Sequence, residues 1–314
     1  MSILRRLSYY KIKGTDNKIE YYIDDFFKTH EKCLFLKKNF NLKVLGNNNK
    51  IYLPQNISIN KKISVTVLGN NNKLIIKNNL SVSNSNIQIK GNNNSFFIGN
   101  FAKLINTTIE AEGDNNKLVS EDFVKYEHTL ISLFDNNNLF KIATTKNFIK
   151  DAKIYIEEGG LLQIGKNSGL QNGDLHIVVN NGYNITPKII IGDNVRIAKS
   201  AIIRASDGHA LLDKNTGMPI NPPKDVIIGN NVWIASRCTI LKGTEIPNGS
   251  MVAACALVNK KFDKENIMLA GTPAKVIRED ILWDINNYRE CMEKLEKEKL
   301  YPSSSSISFS NMPC

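Results

Sequence analysis

One histidine of the sequence has neighbours that suit proton transfer. His209 follows Ser206-Asp207-Gly208 and precedes a segment, 210–225, that contains Thr216-Gly217 and the turn-prone Asn221-Pro222-Pro223. Because an imidazole has a pKa near neutrality, it can take a proton from a hydroxyl at pH 7 and return it to a leaving group. Asp207 could orient the ring or hold its charge, although the two side chains need not touch. This stretch predicts a general-base site at the mouth of a loop.

The residues on both sides of this loop repeat with a period of six. A period of six suits neither a helix of 3.6 residues per turn nor an alternating strand. It is the hexapeptide signature of a parallel β-helix. A branched aliphatic residue stands at every sixth position of two runs: Ile191, Ile197 and Ile203, then Ile228, Ile234, Ile240, Ile246, Val252 and Val258. The segment 210–225 is therefore expected to be a loop ejected between two runs of coil.

A second, longer repeat precedes the hexapeptides. Asparagine-rich motifs recur at intervals of 23, 22, 22 and 22 residues, each flanked by alternating apolar residues. They are Gly46-Asn47-Asn48-Asn49, Gly69-Asn70-Asn71-Asn72, Gly91-Asn92-Asn93-Asn94, Gly113-Asp114-Asn115-Asn116 and Asp135-Asn136-Asn137-Asn138. Asn and Gly tolerate left-handed backbone conformations, so a tight corner in every coil selects them. The pattern predicts strand, corner, strand, with asparagine side chains that hydrogen-bond along the stack.

The two repeats disagree about His209. Weaker corners at Glu158-Gly159-Gly160 and Asn181-Gly182 extend the longer repeat to Ser206-Asp207-Gly208, which aligns His209 with Lys50, Lys73 and Lys117. Counting hexapeptides from Ile203 would instead point His209 inward. Since a buried, lone imidazole would need a partner, we prefer the corner register and expect His209 to face outward.

The repeats divide the chain into five parts. We expect an N-terminal cap of a short strand and helix over 1–41, an Asn-rich long-coil β-helix over 42–190, and a hexapeptide β-helix over 191–265 with the loop 210–225. A C-terminal segment, 266–300, ends in a charged helix from about Tyr288 to Lys299 that caps the coil, and 301–314 is a disordered tail. The 22-residue coils exceed the 18 residues of three six-residue sides, which leaves irregular or right-handed winding open for that part.

Composition narrows the function classes. The sequence has no apolar run of the ~18 residues that a membrane span needs and no secretory signal pattern at its start, so we expect a cytoplasmic protein.

The 41 basic and 30 acidic residues give a net charge of +11, which suits a polyanionic polymer, a phosphate-bearing cofactor or a peripheral position at the inner membrane face. Nucleic acid is disfavoured because the lysines are dispersed and no recognised motif appears. The five cysteines form no C-x-x-C pair, which argues against a zinc site or a disulfide framework.

Several motifs together resemble the hexapeptide-repeat acyltransferases over about residues 190 to 280. Within that superfamily they are most similar to bacterial O-acetyltransferases that modify capsular or O-antigen sugars, the polysialic acid O-acetyltransferases among them. The motifs are Ser206-Asp207-Gly208-His209, Asp213, Thr216-Gly217, Ile220-Asn221, Asp225-Val226-Ile227-Ile228-Gly229, Val232-Trp233-Ile234-Ala235, Ile240-Leu241-Lys242-Gly243 and Ala270-Gly271-Thr272-Pro273-Ala274-Lys275-Val276-Ile277-Arg278.

The resemblance implies an all-β, left-handed parallel β-helix that forms a homotrimer, with acetyl-CoA as donor, a glycan or polysaccharide acceptor and active sites between adjacent subunits. It implies direct transfer with His209 as the general base, and no metal. The positions that match cofactor-binding positions are Trp233 near the cleft, Ala235, Ala253 and Ala254 along the pantetheine arm, and Lys260, Lys275 and Arg278 near the CoA phosphates.

Three alternatives remain open from the sequence. N-acetylation of an amino sugar uses the same scaffold. A non-catalytic β-helix could use its regular asparagine-lined face for binding, although a scaffold has no need of an ejected Asp-Gly-His loop. Metal-dependent chemistry, as in hexapeptide-type carbonic anhydrases, requires three converging histidines, and the four histidines of this chain, His30, His128, His176 and His209, are widely spaced.

Overall fold

The computed structural model describes residues 9–22, 39–54, 57–144, 148–170, 175–180 and 185–298. The chain divides into two compact units, Met1–Ile281 and Leu282–Cys314. The first unit is a three-sided parallel β-helix, because each coil contributes one strand to each of three sheets. All described strand pairs are parallel except the last one, β31 with β32.

Each sheet takes its strands from successive coils, in chain order. The first sheet contains β1 (Tyr9–Lys13), β3 (Phe40–Leu45), β6 (Ile63–Leu68), β9 (Ser85–Lys90), β12 (Thr108–Glu112), β15 (Leu130–Phe134), β18 (Ala152–Glu157), β21 (Leu175–Val179), β24 (Ile202–Arg204), β27 (Thr239–Ile240) and β30 (Leu257–Val258). The second contains β2 (Lys18–Tyr22), β4 (Lys50–Pro54), β7 (Lys73–Ile76), β10 (Ser95–Ile98), β13 (Lys117–Ser120), β16 (Leu139–Ile142), β19 (Leu161–Ile164), β22 (Lys188–Ile191), β25 (Val226–Ile228) and β28 (Glu245–Ile246). The third contains β5 (Ile57–Ile59), β8 (Leu80–Ser83), β11 (Lys103–Ile105), β14 (Lys125–Glu127), β17 (Phe148–Lys150), β20 (Gly169–Leu170), β23 (Arg196–Ile197), β26 (Trp233–Ile234), β29 (Met251–Val252), β31 (Met268–Gly271) and β32 (Ala274–Arg278).

The hexapeptide residues form the core of the C-terminal coils, as the period of six predicts. Each predicted inward position, from Ile191 to Val258, is at most 2% exposed. In register, Ile203 pairs with Ile240 and Ile240 with Val258, so the aliphatic side chains stack in columns. Cys238 fills the same interior, where burial raises the pKa of its thiol to about 11.

The asparagine motifs are the corners between the first and second sheets, which confirms the longer repeat. Gly91 has φ 121° and Asn93 has φ 57°, and the equivalent residues of the neighbouring motifs share these left-handed conformations. A Cβ on Gly91 would lie 2.0 Å from the carbonyl oxygen of Gly113 in the next coil. Glycine is therefore required by close contact between corners as well as by its backbone angle.

The last asparagine of each motif is buried and forms a hydrogen-bonded ladder. The Oδ1 atom of Asn94 accepts from the backbone N–H of Asn116 at 2.8 Å. Its Nδ2 donates to Asn72 Oδ1 at 3.1 Å and to the Gly113 carbonyl at 2.9 Å. The same pattern links Asn49, Asn72, Asn116 and Asn138 to their neighbours. The stacked asparagines thus satisfy the polar groups of each buried corner, as predicted.

The long coils wind with the same hand as the hexapeptide coils. Every coil visits the first, second and third sheets in the same order, and successive coils stack in one direction along all three sheets. The hand of the coil could change only if either the order of the three sheets or the direction of stacking reversed, and neither does. The extra residues lengthen the strands instead, because first-sheet strands have six residues in β3, β6 and β9 but two in β27 and β30.

The coil includes residues that the sequence predicts to be part of an N-terminal cap. Strand β1 pairs with β3 and β2 pairs with β4, so residues 9–22 already belong to the sheets. The predicted cap helix lies outside the described residues, as do the Asn181-Gly182 corner and the predicted disordered tail.

The C-terminal unit contains the predicted charged helix, α1 (Tyr288–Lys297). Asn287 starts it with a capping box, since its side chain accepts from the Glu290 N–H at 3.0 Å and the Glu290 carboxylate accepts from the Asn287 N–H at 3.1 Å. Its role as a cap on the coil stays a prediction. Among the described residues, no helix is both long and apolar enough to cross a membrane.

Candidate active site

His209 lies on the loop that leaves the coil at the corner between the first and second sheets. Strand β24 ends at Arg204 and β25 begins at Val226, and His209 is exposed between them. The corner register is therefore right about its outward position. It is wrong about the alignment of His209 with Lys50, Lys73 and Lys117. Strand β22 pairs with β25, so Asp225 rather than His209 lies next to Lys188 in the row that those lysines form. The loop is inserted before the strand starts, and this moves His209 out of the register.

The asparagine ladder ends where a cavity opens beside His209. Asn138 Oδ1 accepts from the N–H groups of Gly159 and Gly160, and the ladder stops because Gly160 has no side chain to continue it. The cavity has a volume of about 620 Å³. It is lined by Glu157 and Glu158, by Asn180 and Ile185, and by residues 206–210, 218–219 and 221–223.

The loop is folded by its own hydrogen bonds. Leu212 and Pro219 form an antiparallel bridge, and the Asp213 carboxylate accepts from the backbone N–H groups of Asn215 and Thr216. These hydrogen bonds from Thr216 and Asn215 hold the pKa of Asp213 below its usual value. The loop therefore has a defined conformation that presents His209 at the edge of the cavity.

Asp207 holds the base of this loop rather than the imidazole ring. Its Oδ2 atom accepts from Lys242 Nζ at 2.6 Å and from Asn221 Nδ2 at 2.8 Å. The same Nδ2 donates to the backbone carbonyl of His209 at 2.8 Å. The hydrogen bond from Lys242 is the main cause that lowers the pKa of Asp207. Within the described residues, the Asp207 carboxylate makes no hydrogen bond to the His209 ring, so its link to His209 runs through Asn221.

Three successive first-sheet corners form the opposite wall of the cavity. Ser206 Oγ donates to Asn180 Oδ1 at 3.2 Å, and Asn180 Nδ2 donates to the Glu157 carboxylate. Each residue follows or ends a different strand, β24, β21 and β18 respectively. The network fixes the Glu157 carboxylate at the cavity wall.

Most of the predicted cofactor residues lie on the third sheet or at its corners. Trp233 pairs with Met251, Met251 with Met268 and Met268 with Arg278, which forms one row across four strands. Trp233 is 38% exposed. Lys275 pairs with Ala270 in the same part of the sheet, and Lys275 and Arg278 are exposed. This row combines an aromatic ring, flexible thioethers and a cation.

The remaining predicted cofactor-binding residues differ in where they lie and in how exposed they are. Ala253 and Ala254 follow β29 at the corner between the third and first sheets, where Ala254 is exposed and Ala253 half-buried. Ala235 occupies the equivalent corner after β26 but is only 8% exposed, so its side chain belongs to the packing. Lys260 follows β30 and lies on the His209 side of the coil instead, with its Nζ 5.1 Å from the centre of the Phe262 ring.

The structure does not bring His209 and Trp233 together within one chain. His209 lies at the corner between the first and second sheets, whereas Trp233 lies on the third sheet, which faces away from that corner in a three-sided coil. Small side chains and exposed cations on the third sheet fit the narrow arm and the phosphates of a CoA thioester. The two halves of the predicted site are thus on different sides of the molecule.

The other described histidines do not join the site. His128 follows β14 and contacts Asp151 at 3.1 Å, and His176 lies in β21. His30 lies outside the described residues. No group of three or more His, Cys, Asp or Glu side chains that could hold a metal ion is found in the part of the chain that the structure describes.

The sequence alone does not assign a role to Lys242, Asn221 or Glu157. Lys242 and Asn221 belong to motifs that carry the family resemblance, but the Asn-Pro-Pro sequence by itself indicates only a turn. Glu157 directly precedes the predicted corner Glu158-Gly159-Gly160. This position is the signal in the sequence that could have indicated a role for its side chain. Only the folded loop shows that Asn221 and Glu157 line one cavity and that Lys242 pairs with Asp207.

A parallel β-helix of hexapeptide coils with a histidine-bearing loop defines the class of this protein, and comparisons with known proteins agree. The polysialic acid O-acetyltransferases of Escherichia coli O1:K1 and Neisseria meningitidis are 32% and 31% identical to this chain over 138 and 131 residues. Those alignments cover 44% and 42% of this chain and 43% and 58% of the relatives, so the chain spans about half the length of these relatives. A putative acetyltransferase of Saccharomyces cerevisiae is 31% identical over 47% of this chain and 72% of its own length. No family model matches the chain.

Solved structures extend the similarity to most of the chain. The polysialic acid-specific acetyltransferase NeuO superposes with a TM-score of 0.54 at 25% identity, over 75% of this chain and 98% of its own. The polysialic acid O-acetyltransferase OatWY gives a TM-score of 0.50 at 29% identity, over 82% and 98%. This chain belongs to the hexapeptide-repeat acyltransferase family, and its coil is the left-handed parallel β-helix of that family.

Proposed function

We propose that this protein transfers an acetyl group from acetyl-CoA to a hydroxyl of a bacterial surface glycan, with His209 as the general base. The observation that carries the proposal is the position of His209 at the edge of a cavity built by the ejected loop and three coil corners. Relatives named as polysialic acid O-acetyltransferases support a glycan acceptor and an O-acetyl product.

The imidazole has a direct role in the proposed step. A ring nitrogen of His209 accepts the proton of the acceptor hydroxyl, so that the oxygen gains nucleophilic character as it attacks. Acetyl-CoA, as the donor substrate, supplies the thioester carbonyl that this oxygen attacks. When the carbon–sulfur bond breaks, the imidazolium returns its proton to the leaving thiolate. The new ester bond and the free thiol balance the reaction, and the chain carries no covalent intermediate.

Asp207 acts in this proposal as a positioning residue. Its carboxylate holds the Asn221 amide at 2.8 Å, and that amide holds the His209 carbonyl at 2.8 Å. Lys242 ties the same carboxylate to the coil that follows the loop. The backbone at His209 is thereby fixed before the acceptor arrives, which reduces the cost of orienting the base.

The proposed site is completed by a second copy of the chain. The donor would be held by third-sheet residues Trp233, Lys275 and Arg278 and by Ala253 and Ala254 at the following corner, while His209 lies at a corner away from that sheet. A homotrimer that sets the His209 corner of one subunit against the third sheet of the next would join both halves. This arrangement also explains why a large apolar side chain such as Trp233 is exposed in the single chain.

The direct test compares His209→Ala with His128→Ala. Loss of a general base is expected to reduce turnover at least about 100-fold, whereas His128, an exposed histidine at another corner, should be dispensable. Size-exclusion chromatography with light scattering should give the same trimer for both variants. Normal turnover by a trimeric His209→Ala protein would overturn the assignment.

Shared sites can be tested by mixing subunits. A His209→Ala subunit and a Trp233→Ala subunit carrying different tags, co-expressed and isolated as mixed trimers, should recover part of the wild-type turnover, because some interfaces combine an intact His209 with an intact Trp233. Mixed trimers without any recovery would show that each chain holds a complete site.

A further inference from the structure

Arg196 is a half-buried cation on the third sheet that has no acidic partner among the described residues. Burial lowers the pKa of its guanidinium, and no neighbouring carboxylate in the described chain offsets that effect. Taking a charge even partly out of water costs free energy unless an opposite charge or hydrogen bonds compensate for it. A cation of this kind indicates an anionic partner from outside the single chain.

The guanidinium of Arg196 is held at one nitrogen and keeps donors at another. Its Nη1 atom donates to the backbone carbonyls of Asn167 and Val195. Its Nε atom is buried without a hydrogen-bond partner in the described part of the chain, and Nη2 donates to none of the described residues. Because a guanidinium has five N–H donors that suit carboxylate and phosphate groups, the Nη2 end remains for a ligand while the backbone fixes the side chain.

Arg196 lies at one end of the proposed donor row, and the predicted phosphate-binding residues lie at the other. The row runs from Arg196 through Trp233, Met251 and Met268 to Arg278. Since neighbouring strands are about 4.8 Å apart, four strand spacings place Arg278 about 19 Å from Arg196. If the CoA phosphates bind near Arg278 and the thioester lies near Trp233, Arg196 lies beyond the thioester, where the acceptor must approach.

The height of Arg196 along the coil matches one level of the His209 cavity. His209 and Trp233 belong to the coil of β24, β25 and β26, whereas Arg196 and Asn180 belong to the preceding coil, that of β21, β22 and β23. Rotation about a threefold axis parallel to the coil leaves the height of every residue unchanged. In the proposed trimer, Arg196 of one subunit would therefore face the neighbouring cavity at the level of Asn180.

The charges already present at the cavity determine what a cation on its open side would do. The coil and loop supply the carboxylates of Glu157, Glu158 and Asp207 to the wall. Lys242 pairs with Asp207, and the Arg204 guanidinium lies near Gly208, because a Cβ there would be 3.1 Å from its Nη2. An anionic acceptor would thus be repelled from the glutamate side of the cavity and attracted toward a cation that faces it.

We infer that Arg196 of one subunit completes the His209 cavity of its neighbour and binds an oxyanion, carboxylate or phosphate, carried by the acceptor glycan. This inference rests on the proposed function, because it takes the His209 cavity as the acceptor site and the site as shared between subunits. The guanidinium turns the anionic group away from the glutamates and leaves a hydroxyl of the same glycan to approach His209. Arg196 is a specificity-determining residue, since a neutral sugar lacks the group that it binds.

The test measures acetyl transfer by the full chain to two anionic acceptors and their neutral counterparts. A sialic acid trimer is compared with the same trimer after methyl esterification of its carboxylates, and galactose 6-phosphate is compared with galactose. The wild-type protein should prefer one of the anionic acceptors, and which one identifies the oxyanion. Arg196→Gln should raise KM for that acceptor about 10- to 100-fold and change KM for its neutral counterpart and for acetyl-CoA by less than about twofold. Arg196→Lys keeps the charge and should retain part of the preference.

Lys103→Gln is the matched control for loss of one positive charge. Lys103 is exposed on the same sheet, four strands before Arg196, so its removal should leave every KM unchanged. Melting temperatures and light scattering should show that all variants fold and form trimers. A weaker trimer with equal losses for charged and neutral acceptors would make Arg196 a structural contact between subunits and would overturn the inference.

Mixed trimers test whether Arg196 acts across the interface. When tagged His209→Ala and Arg196→Gln subunits are combined, His209 is intact only in the Arg196→Gln subunits. Some active sites should nevertheless show the wild-type KM for the anionic acceptor, because a neighbouring His209→Ala subunit supplies an intact Arg196. If every active site instead shows the raised KM, Arg196 and His209 act within one chain and the inference is wrong.

The remaining outcomes separate the inference from the proposed function. Absence of a preference for either anionic acceptor, or an increase in KM for acetyl-CoA in Arg196→Gln, would overturn the inference while an inactive His209→Ala still supported the general base. An active His209→Ala trimer would overturn the proposed function whatever Arg196→Gln does.

Discussion

The Nζ atom of Lys242 lies 2.6 Å from Oδ2 of Asp207, and this ion pair joins two different coils. Asp207 begins the loop after β24, whereas Lys242 follows β27 in the next turn of the first sheet. Lys242 also donates to the Asn221 carbonyl at 2.8 Å. One ammonium group thus holds both ends of the loop that carries His209.

Asp207→Asn should release this loop without unfolding the coil. The asparagine loses the charge that attracts Lys242, so His209 becomes less well positioned and kcat should fall about 10- to 100-fold. Hydrogen exchange of the backbone in 208–224, measured by mass spectrometry, should become faster. Because Lys242→Met removes the same interaction together with the bond to the Asn221 carbonyl, the double variant should be no worse than Lys242→Met alone.

Asp213→Asn serves as the control for that result. Asp213 lies in the same loop but bonds to Thr216 and Asn215 within it, so its loss should speed exchange near those residues and leave kcat closer to the wild-type value. Additive losses in the Asp207–Lys242 double variant would mean that the two residues act separately.

The loop should also respond to acid in a defined direction. The Lys242 hydrogen bond lowers the pKa of Asp207 below its ordinary value of 3.8. A lowered pKa means that the ion pair stabilises the folded loop above the ordinary value and that this contribution is lost as the pH falls through the lowered pKa. Exchange of 208–224, corrected for its intrinsic pH dependence, should therefore stay slow down to about pH 4 and increase below it. In Asp207→Asn the acid-dependent increase should be smaller and confined to the residues around Asp213, whose pKa is also lowered, and an identical increase across 208–224 in that variant would point to another group.

The fold was predictable because each repeat imposes the same local requirement. A position such as Ile240 must be aliphatic, since it stacks between Ile203 and Val258, and Asn93 must tolerate a left-handed backbone in its corner. Such requirements recur in every coil and appear as periods in the sequence. The strand lengths do not appear as a period in the sequence, because the extra residues of a long coil can enter a strand or a corner.

The site was only partly predictable for the same reason. His209 stands at a recognisable break in both periods, so its type and position carry information. Lys242 meets Asp207 35 positions away, and that contact depends on how the loop folds back over the next coil. Likewise, Glu157 reaches the cavity through two non-repeating hydrogen bonds with no periodic signal. The separation of His209 from Trp233 follows from the three-sided coil rather than from any local motif.

The buried asparagine ladder should contribute strongly to stability. Asn94→Ala leaves the Asn116 N–H and the Gly113 carbonyl without their side-chain partners in a buried corner, so the free energy of unfolding should decrease by about 2–4 kcal/mol. Asn93→Gly is the matched control, because Asn93 is exposed with φ 57° and glycine adopts that conformation freely. Chemical denaturation followed by circular dichroism measures both changes. Equal free energies of unfolding for the two variants would show that the ladder hydrogen bonds follow from the stacking of the coils and do not stabilise it.

Close contact between corners should make Gly91 intolerant of any side chain. In Gly91→Ala the new Cβ would lie 2.0 Å from the Gly113 carbonyl oxygen, at a φ of 121° that alanine rarely adopts. Since both atoms belong to tightly stacked backbones, the coil must distort, and unfolding should be easier by more than about 3 kcal/mol. Gly217→Ala separates backbone strain from the clash, because Gly217 has φ 68° with nothing within 4 Å of the added atom. That variant should lose only about 1 kcal/mol. If calorimetry instead finds similar losses for the two variants, the corner spacing does not limit this position.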